Sequence, residues 1–378
     1  MDVNVKRLIK MNQKHLLLYI IIALCFVTSL LFVYNNYSFY ERPIAKVIEA
    51  DLIDSTETID MYNNKDRLFT QEIIAEIKNG KEKGQHIHLM NEYSSSGAYD
   101  HEYVVGNELF VSINPNKETD QLIGTINDVK RDKYIVIVAW IFIFVLLIVG
   151  KKHGMFSFIS LVINAVILSY ALDMYVNRSQ ISLLLICSIS VILFTVISLL
   201  LVNGVNEKTY AAIVATLLGT FISLFITYIV LWATNENGLR YEEMQFLTRP
   251  YRTVFMAGLI IGSLGAVMDV AITMSSSIFE LYEKDKHISV KALKASGLDI
   301  GKDIMGTMTS ILFFAYISGS IPMLILYFKN ASPLGFTLSI NLSLELARAL
   351  AGGIGIVITI PIGLYTSILF VKRKRVKG

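Results

Sequence analysis

The residues best placed to do chemistry lie in one apolar run, Gly258-Leu-Ile-Ile-Gly262-Ser-Leu-Gly265-Ala266-Val-Met-Asp269-Val-Ala-Ile-Thr273-Met-Ser-Ser276-Ser-Ile-Phe-Glu280. On a helix, Gly265, Asp269, Thr273, Ser276 and Glu280 recur at steps of three or four and share one slowly rotating stripe. Gly258, Gly262 and Ala266 recur every four residues, the spacing that lets two membrane helices approach closely. An acidic side chain near the centre of a membrane helix costs roughly 2.5–3.5 kcal/mol, so Asp269 is expected to have a function. Binding a proton or a cation is the chemistry open to a desolvated carboxylate; Thr273, Ser276 and Glu280 would continue the path. The structural alternative is a hydrogen bond that locks Asp269 to another helix. Asp303 joins the transport or gating candidates. Its segment, Gly297-Leu-Asp-Ile-Gly301-Lys302-Asp303, is not a phosphate-binding loop: the spacing is one residue short, and Asp stands where Ser or Thr is needed.

Other polar residues carry less. Glu345 and Arg348 are three apart and can pair across one helical turn, as an interfacial ion pair. His86 and His88 alternate on an expected strand and so share a face. His101, between Asp100 and Glu102, would have to join them to complete a metal site, and no metal or cofactor is expected. Cys25 and Cys187 both sit inside apolar runs, which excludes a disulfide framework. No nucleophile and base can be paired, so a hydrolase has no support. The stretch Lys291-Ala-Leu-Lys294-Ala-Ser-Gly297 is only faintly similar to the coupling loop of ABC-type permeases and lacks its flanking residues.

The composition identifies the elements that must hold these groups. The chain has 378 residues, of which 54% are hydrophobic and 17% charged, with a mean hydropathy of +0.55. Soluble domains carry about 25% charged residues. Runs of about twenty apolar residues, each enough to cross a ~30 Å hydrocarbon core, recur at 16–34, 134–150, 155–176, 181–202, 209–233, 252–274, 307–328 and 344–371. The first follows Lys6, Arg7, Lys10 and Lys14; its length, with no small-residue cleavage site after it, reads as an uncleaved signal anchor. The expected fold is thus a mainly α membrane protein of eight transmembrane helices. If the N-terminus is cytoplasmic, the loops on that side carry 17 Lys/Arg and the short loops opposite carry five, which satisfies the positive-inside rule. Both termini are then cytoplasmic, and 372–378 forms a basic tail. The loop 275–306 is expected to be cytoplasmic, with a short helix capped by Ser289 and ended by Gly297.

Residues 35–133 are the one soluble stretch of domain size, with 11 Lys/Arg against 18 Asp/Glu. An acidic segment beside a basic remainder argues against nucleic acid. Strand-like pieces at 44–50, 68–77, 85–90, 108–113 and 122–126, with turns at Asn79-Gly80 and Gly106-Asn107, predict a small extracytoplasmic all-β barrel or sandwich between helices 1 and 2. The domain organisation is therefore 1–34, 35–133, 134–371 and 372–378.

Several motifs resemble the YibE/F-like family of bacterial multi-pass membrane proteins. They are Gly262-Ser-Leu-Gly265-Ala-Val-Met-Asp269, Ser275-Ser-Ser-Ile-Phe-Glu280-Leu, Ser296-Gly297-Leu-Asp-Ile-Gly301-Lys-Asp303-Ile-Met-Gly306, Ala315-Tyr-Ile-Ser-Gly-Ser-Ile-Pro322 and the Gly352-Gly-Ile-Gly-Ile-Val run. Gly106-Asn-Glu-Leu-Phe-Val111 is similar to the family's β domain. The resemblance covers most of 42–371 and is to the longer, YibE-like type. It implies a plasma-membrane location and a second YibE/F-like subunit, or a homo-oligomer, as the protein partner beside the lipid bilayer. It implies no activity. The residues favour a permease or permease-like subunit; the alternative is a non-transporting scaffold or envelope-sensing protein that acts through its β domain.

Overall fold

The computed structural model describes residues 20–97, 100–114, 122–178, 181–244 and 250–377. The basic residues Lys6, Arg7, Lys10 and Lys14 lie outside the described residues. The chain divides into two compact units, Met1–Val145 and Leu146–Gly378.

In the first unit, helix α1 (20–35) runs into a 3-10 turn at Asn36–Phe39, followed by strands β1 (Ile44–Ile59), β2 (Lys65–Ile77), β3 (His86–Ser94), β4 (Glu108–Asn114) and β5 (Leu122–Val129). The strands close into a barrel in the order β1-β2-β3-β5-β4. All neighbours are antiparallel except β3 and β5. Alternation sets the interior: Ala45, Val47, Ile73, Ala75, Ile77, Ile87, Leu89, Leu109 and Val111 form one buried cluster. The expected pieces are all present, but β1 and β2 run on as a hairpin to Ile59 and from Lys65. The charged and hydroxyl residues of 51–67 hide that extension from an apolar-run reading. Gly80 has φ +84 and Gly106 φ +94, a conformation that L side chains rarely adopt. Beside Gly80, buried Asn79 accepts from the Ile44 N–H at 2.6 Å and donates to the Tyr40 and Arg42 carbonyls, so the turn also fixes where the chain enters the barrel.

Lys130, 1% exposed, ties the barrel to its flanking helices. Its ammonium reaches the Val33 carbonyl at 3.0 Å, Asp132 at 2.9 Å and Glu108 at 3.1 Å. Tyr37 donates to Glu108 at 2.7 Å, and Tyr40 and Asn36 donate to Asp132 at 3.0 and 2.8 Å. Above this junction, Trp140 donates to Ser29 at 2.7 Å and packs edge-on against Phe26.

Beyond it the chain is helical: α2 (Asp132–Asn177), α3 (Leu183–Asn203), α4 (Glu207–Ala233), α5 (Tyr251–Lys284), α6 (Val290–Ser318), α7 (Ile321–Lys329) and α8 (Leu334–Lys377). Among the described residues six helices are long and apolar enough to cross a membrane, or seven if α6 and α7, bent by 53°, form one span. Eight separate spans were expected. The difference arises in α2, whose 46 residues would extend about 69 Å, more than two hydrocarbon thicknesses. It contains both 134–150 and 155–176. Between them Lys151 has the non-helical pair φ 48, ψ −121, and a Cβ at Gly154 would collide with the Leu146 carbonyl.

Two expected loops are corrected. Most of 275–306 is helix, and only 285–289 separates α5 from α6. Ser289 does cap α6, accepting from Ala292 N–H at 3.1 Å, but Gly297 does not end it. Gly297 and Gly301 are buried inside α6, where a Cβ would collide with Leu364 and Ile360 of α8; they are there for packing. The stretch 329–343 is mostly the start of α8, and the basic tail 372–377 is its end. There Arg375 donates to the Ile288 carbonyl at 2.6 Å and lies over Tyr282.

Helix α8 packs against α4, α5 and α6. Ile356, Ile360, Leu364 and Ile368, four apart, form its buried stripe. Small residues set the spacing: Gly219 lies against Thr359, Gly355 against Val267 and Ser223, and Gly363 against Met274. Ser223 also donates to the Ala351 carbonyl at 2.7 Å.

Candidate functional site

The polar stripe is carried by α5 as one continuous helix. At 3.6 residues per turn, Gly258, Gly262, Gly265, Asp269, Thr273, Ser276 and Glu280 fall within a sector of about 80°. The opposite side is the buried one, with Leu259, Ile260, Val267, Val270, Ala271, Met274 and Ile278 all at 0% exposure. Hydrophobic burial of that side orients the stripe away from α4 and α8. Gly258, Gly262, Gly265, Asp269 and Glu280 are exposed on the isolated chain; Thr273 and Ser276 are half-buried.

Helix α6 crosses the stripe without closing it. The Tyr316 hydroxyl touches Gly262, and Gly297 touches Ile278. These two contacts make α5 and α6 antiparallel. Asp269 makes no hydrogen bond or ion pair with the described residues. The close packing expected of the small residues is made by Gly262 and by Ala266, which lies half-buried against the core. A Cβ on Gly258 or Gly265 would meet nothing within 4 Å among the described residues.

Asp303 is not brought to Asp269. It is exposed and lies about 200° around α6 from Gly301, the residue that touches α8. Glu345 and Arg348 do form the expected ion pair. Because α8 begins at Leu334, they lie inside it, with side chains 25% and 20% exposed. Arg348 also stacks over Phe255 at 5.5 Å. Its Nε and the Tyr316 hydroxyl are buried without a partner among the described residues, so the Gly262 end of the stripe also carries polar groups. Ser275, one position from Ser276, faces the core and donates to the Lys208 carbonyl at 2.7 Å, tying α5 to the start of α4. Tyr316 and Ser275 stand in the sequence only inside longer motifs, with no role of their own. A tyrosine or serine in an apolar run is unremarked until its neighbours are known.

In the barrel, His86 and His88 point the same way, and His88 Nδ1 lies 3.7 Å from Glu72. His101 lies 3.4 Å from Arg131 instead. Among the described residues no three His, Cys, Asp or Glu side chains come together as a metal-binding group. Cys25 and Cys187 are free thiols.

A family model described as YibE/F-like protein matches residues 138–373, and one described as YibE/F family N-terminal domain matches 38–129. No curated protein and no solved structure matches the chain.

Proposed function

The chain belongs to the YibE/F-like family, and from that premise we propose that this membrane protein is a permease, or the permease-like subunit of a transporter. One observation carries the reading: a face of α5 holds a carboxylate, two hydroxyls and three glycines, α6 crosses it only at Gly262, and Asp269, Gly258 and Gly265 stay exposed among the described residues. A lipid-facing Asp269 is energetically costly, so that face meets water or another protein. In a transporter both serve, because ion-coupling groups line water-filled paths between helices. Asp269 would be the coupling or gating carboxylate, with Thr273, Ser276 and Glu280 as the path onward. Asp303 stays a gating candidate on the outward face of α6.

We further propose eight crossings in a bacterial plasma membrane: α1, two halves of α2 meeting at Lys151, α3, α4, α5, the bent α6–α7 pair and α8. The Lys/Arg distribution supports cytoplasmic termini and an extracytoplasmic barrel. A second YibE/F-like subunit or a second copy would cover the remaining small-residue face around Gly258 and Gly265. The scaffold or sensing alternative is favoured by Lys130, which would pass a displacement of the barrel directly to α1 and α2.

Cysteine accessibility tests the reading. In a chain lacking Cys25 and Cys187, single cysteines at 265, 269, 273, 276 and 280 are exposed to a hydrophilic maleimide in cells and in inverted vesicles. Labelling at 269 and 273 is the expected result. Silence at 265, 269 and 273 from both sides makes the stripe a packed seam and directs attention to the barrel.

A further inference from the structure

We propose that the free edge of β1 from Ser55 to Ile59 takes an extended, basic segment of a partner protein as an added strand. The edge follows from the pairing. β1 pairs with β4 only over 44–46 and, through Val47, with the turn at Gly106-Asn107. Beyond that it pairs with β2 alone, out to Ile59. From Asp54 to Ile59 the register against Thr70 to Lys65 is unbroken. The other side of this segment carries no strand among the described residues.

The direction of its backbone groups can be read from one bond. The Asp60 N–H donates to the Asn64 carbonyl at 3.1 Å, so position 60 faces β2. Antiparallel alternation then turns 58 and 56 toward β2, and 59, 57 and 55 away from it. The Ser55 N–H is taken by the neighbouring Asp54 carboxylate at 2.7 Å. The N–H groups of Glu57 and Ile59 have no partner among the described residues. This is the arrangement that strand addition uses: main-chain bonds give affinity, and alternate side chains give specificity.

Charge selects the occupant. From position 49 to 60 the sequence is Glu-Ala-Asp-Leu-Ile-Asp-Ser-Thr-Glu-Thr-Ile-Asp, with five carboxylates and no lysine or arginine. A second copy of this edge would set carboxylate against carboxylate, which is destabilising; a strand bearing lysine or arginine is attracted. The basic residues Lys65 and Arg67 sit one strand further in, opposite Ile59 and Glu57, and Arg67 lies over the Phe69 ring. Natural edges are commonly blunted by bulges, lysine or proline. The bulges of β1 fall at Val47/Glu49 and Leu52/Asp54, leaving 54–59 without any of the three. Exposed Ile59, Met61 and Tyr62 at the hairpin tip add apolar contact beside the docked strand.

The test uses the full chain in nanodiscs of zwitterionic lipid and a fluorescent decapeptide alternating lysine and valine, followed by anisotropy. The lysine peptide is expected to bind and its glutamate counterpart is not. Methylating the peptide's alternate backbone amides, which preserves its charge, is expected to weaken binding about tenfold or more. Ile59→Pro in the chain, which removes an outward N–H without changing the charge and spares the β1–β2 ladder, should do the same. Failure of the lysine peptide to bind overturns the proposal. So does equal binding by the methylated peptide, which needs no variant and reduces the contact to charge attraction alone.

Discussion

The Lys130 ammonium lies 3.1 Å from the Glu108 carboxylate, with the two side chains 1% and 5% exposed. Taking both charges out of water is costly, and the pair persists because neither is left alone: Asp132 and the Val33 carbonyl also meet the ammonium, and Tyr37 donates to Glu108. Removing one partner of such a pair costs about 3–5 kcal/mol. Lys130→Met is therefore expected to destabilise the barrel unit by that order and to loosen α1 from it. Trp140, bonded to Ser29, is a built-in reporter: its emission should shift at a lower denaturant concentration in the variant.

The same cluster sets an alkaline limit. Burial alone would lower the Lys130 pKa, but the hydrogen bonds and charges of Asp132 and Glu108 outweigh it and raise the pKa above the ordinary 10.5. A raised pKa stabilises the fold fully below the ordinary value, and the contribution is lost as pH climbs through the folded one. The Trp140 transition should hold steady to about pH 10 and weaken above it, and Lys130→Met should show a smaller step, the remainder coming from Tyr37 and Tyr40, whose hydroxyls are also pushed up by burial and by their carboxylate partners.

How much of this was legible in the sequence depends on which force acts. Alternating burial wrote the barrel strands into 44–50, 68–77 and 85–90, because hydrophobic period and local conformation agree there. The hairpin beyond Leu52 buries little and left no apolar trace. The α5 stripe was legible because Asp269 interrupts an apolar run at helical spacing. Its openness was not, since coverage depends on where α6 and α8 pass. Gly297 reads as a helix stop by local propensity, and contact with Leu364 and Ile278 overrides that propensity. Lys130 is one of many lysines until Glu108 and Asp132 are folded around it.

Asp66 gives an acid-side prediction. The Ser96 and Ser95 hydroxyls and the Arg67 N–H hold its carboxyl down at about 2. A depressed pKa contributes stability above the ordinary carboxylate range, lost as pH falls through the folded value. Protection of the Arg67 and Ser96 amides, taken relative to their intrinsic exchange at each pH, should therefore hold down to about pH 4 and fall below it. Asp66→Asn should exchange quickly already at neutral pH.

The glycines of α5 and α6 should divide into two groups. Gly301→Val drives a side chain into Ile360, and Gly297→Val drives one into Leu364 and Ile278. Overpacking costs about 1–3 kcal/mol, so both variants should melt earlier in detergent. Gly258→Ala and Gly265→Ala meet nothing within 4 Å among the described residues and, because alanine favours a helix over glycine, should not lower the monomer's melting. If they instead disrupt a native-gel oligomer, the uncovered face belongs to an interface between chains.

Asp269→Asn separates the roles open to the stripe. Asparagine keeps the size and hydrogen-bonding reach of the side chain but carries no charge and takes up no proton near neutral pH. A carboxylate that only locks helices by accepting a hydrogen bond would be replaced almost without effect. One that unfolds the bundle when neutralised would cut the amount of protein in the membrane. A coupling carboxylate does neither: the variant should accumulate and melt like the parent, and gradient-driven flux should fall by about tenfold or more, since coupling needs the charge change itself. Asp269→Glu should recover part of that flux, because the titrating group returns about one methylene out of place. Thr273→Ala and Ser276→Ala should reduce flux less, as neutral groups along the same face. Normal flux in Asp269→Asn would remove the carboxylate from the path and leave transport, if present, to another part of the bundle.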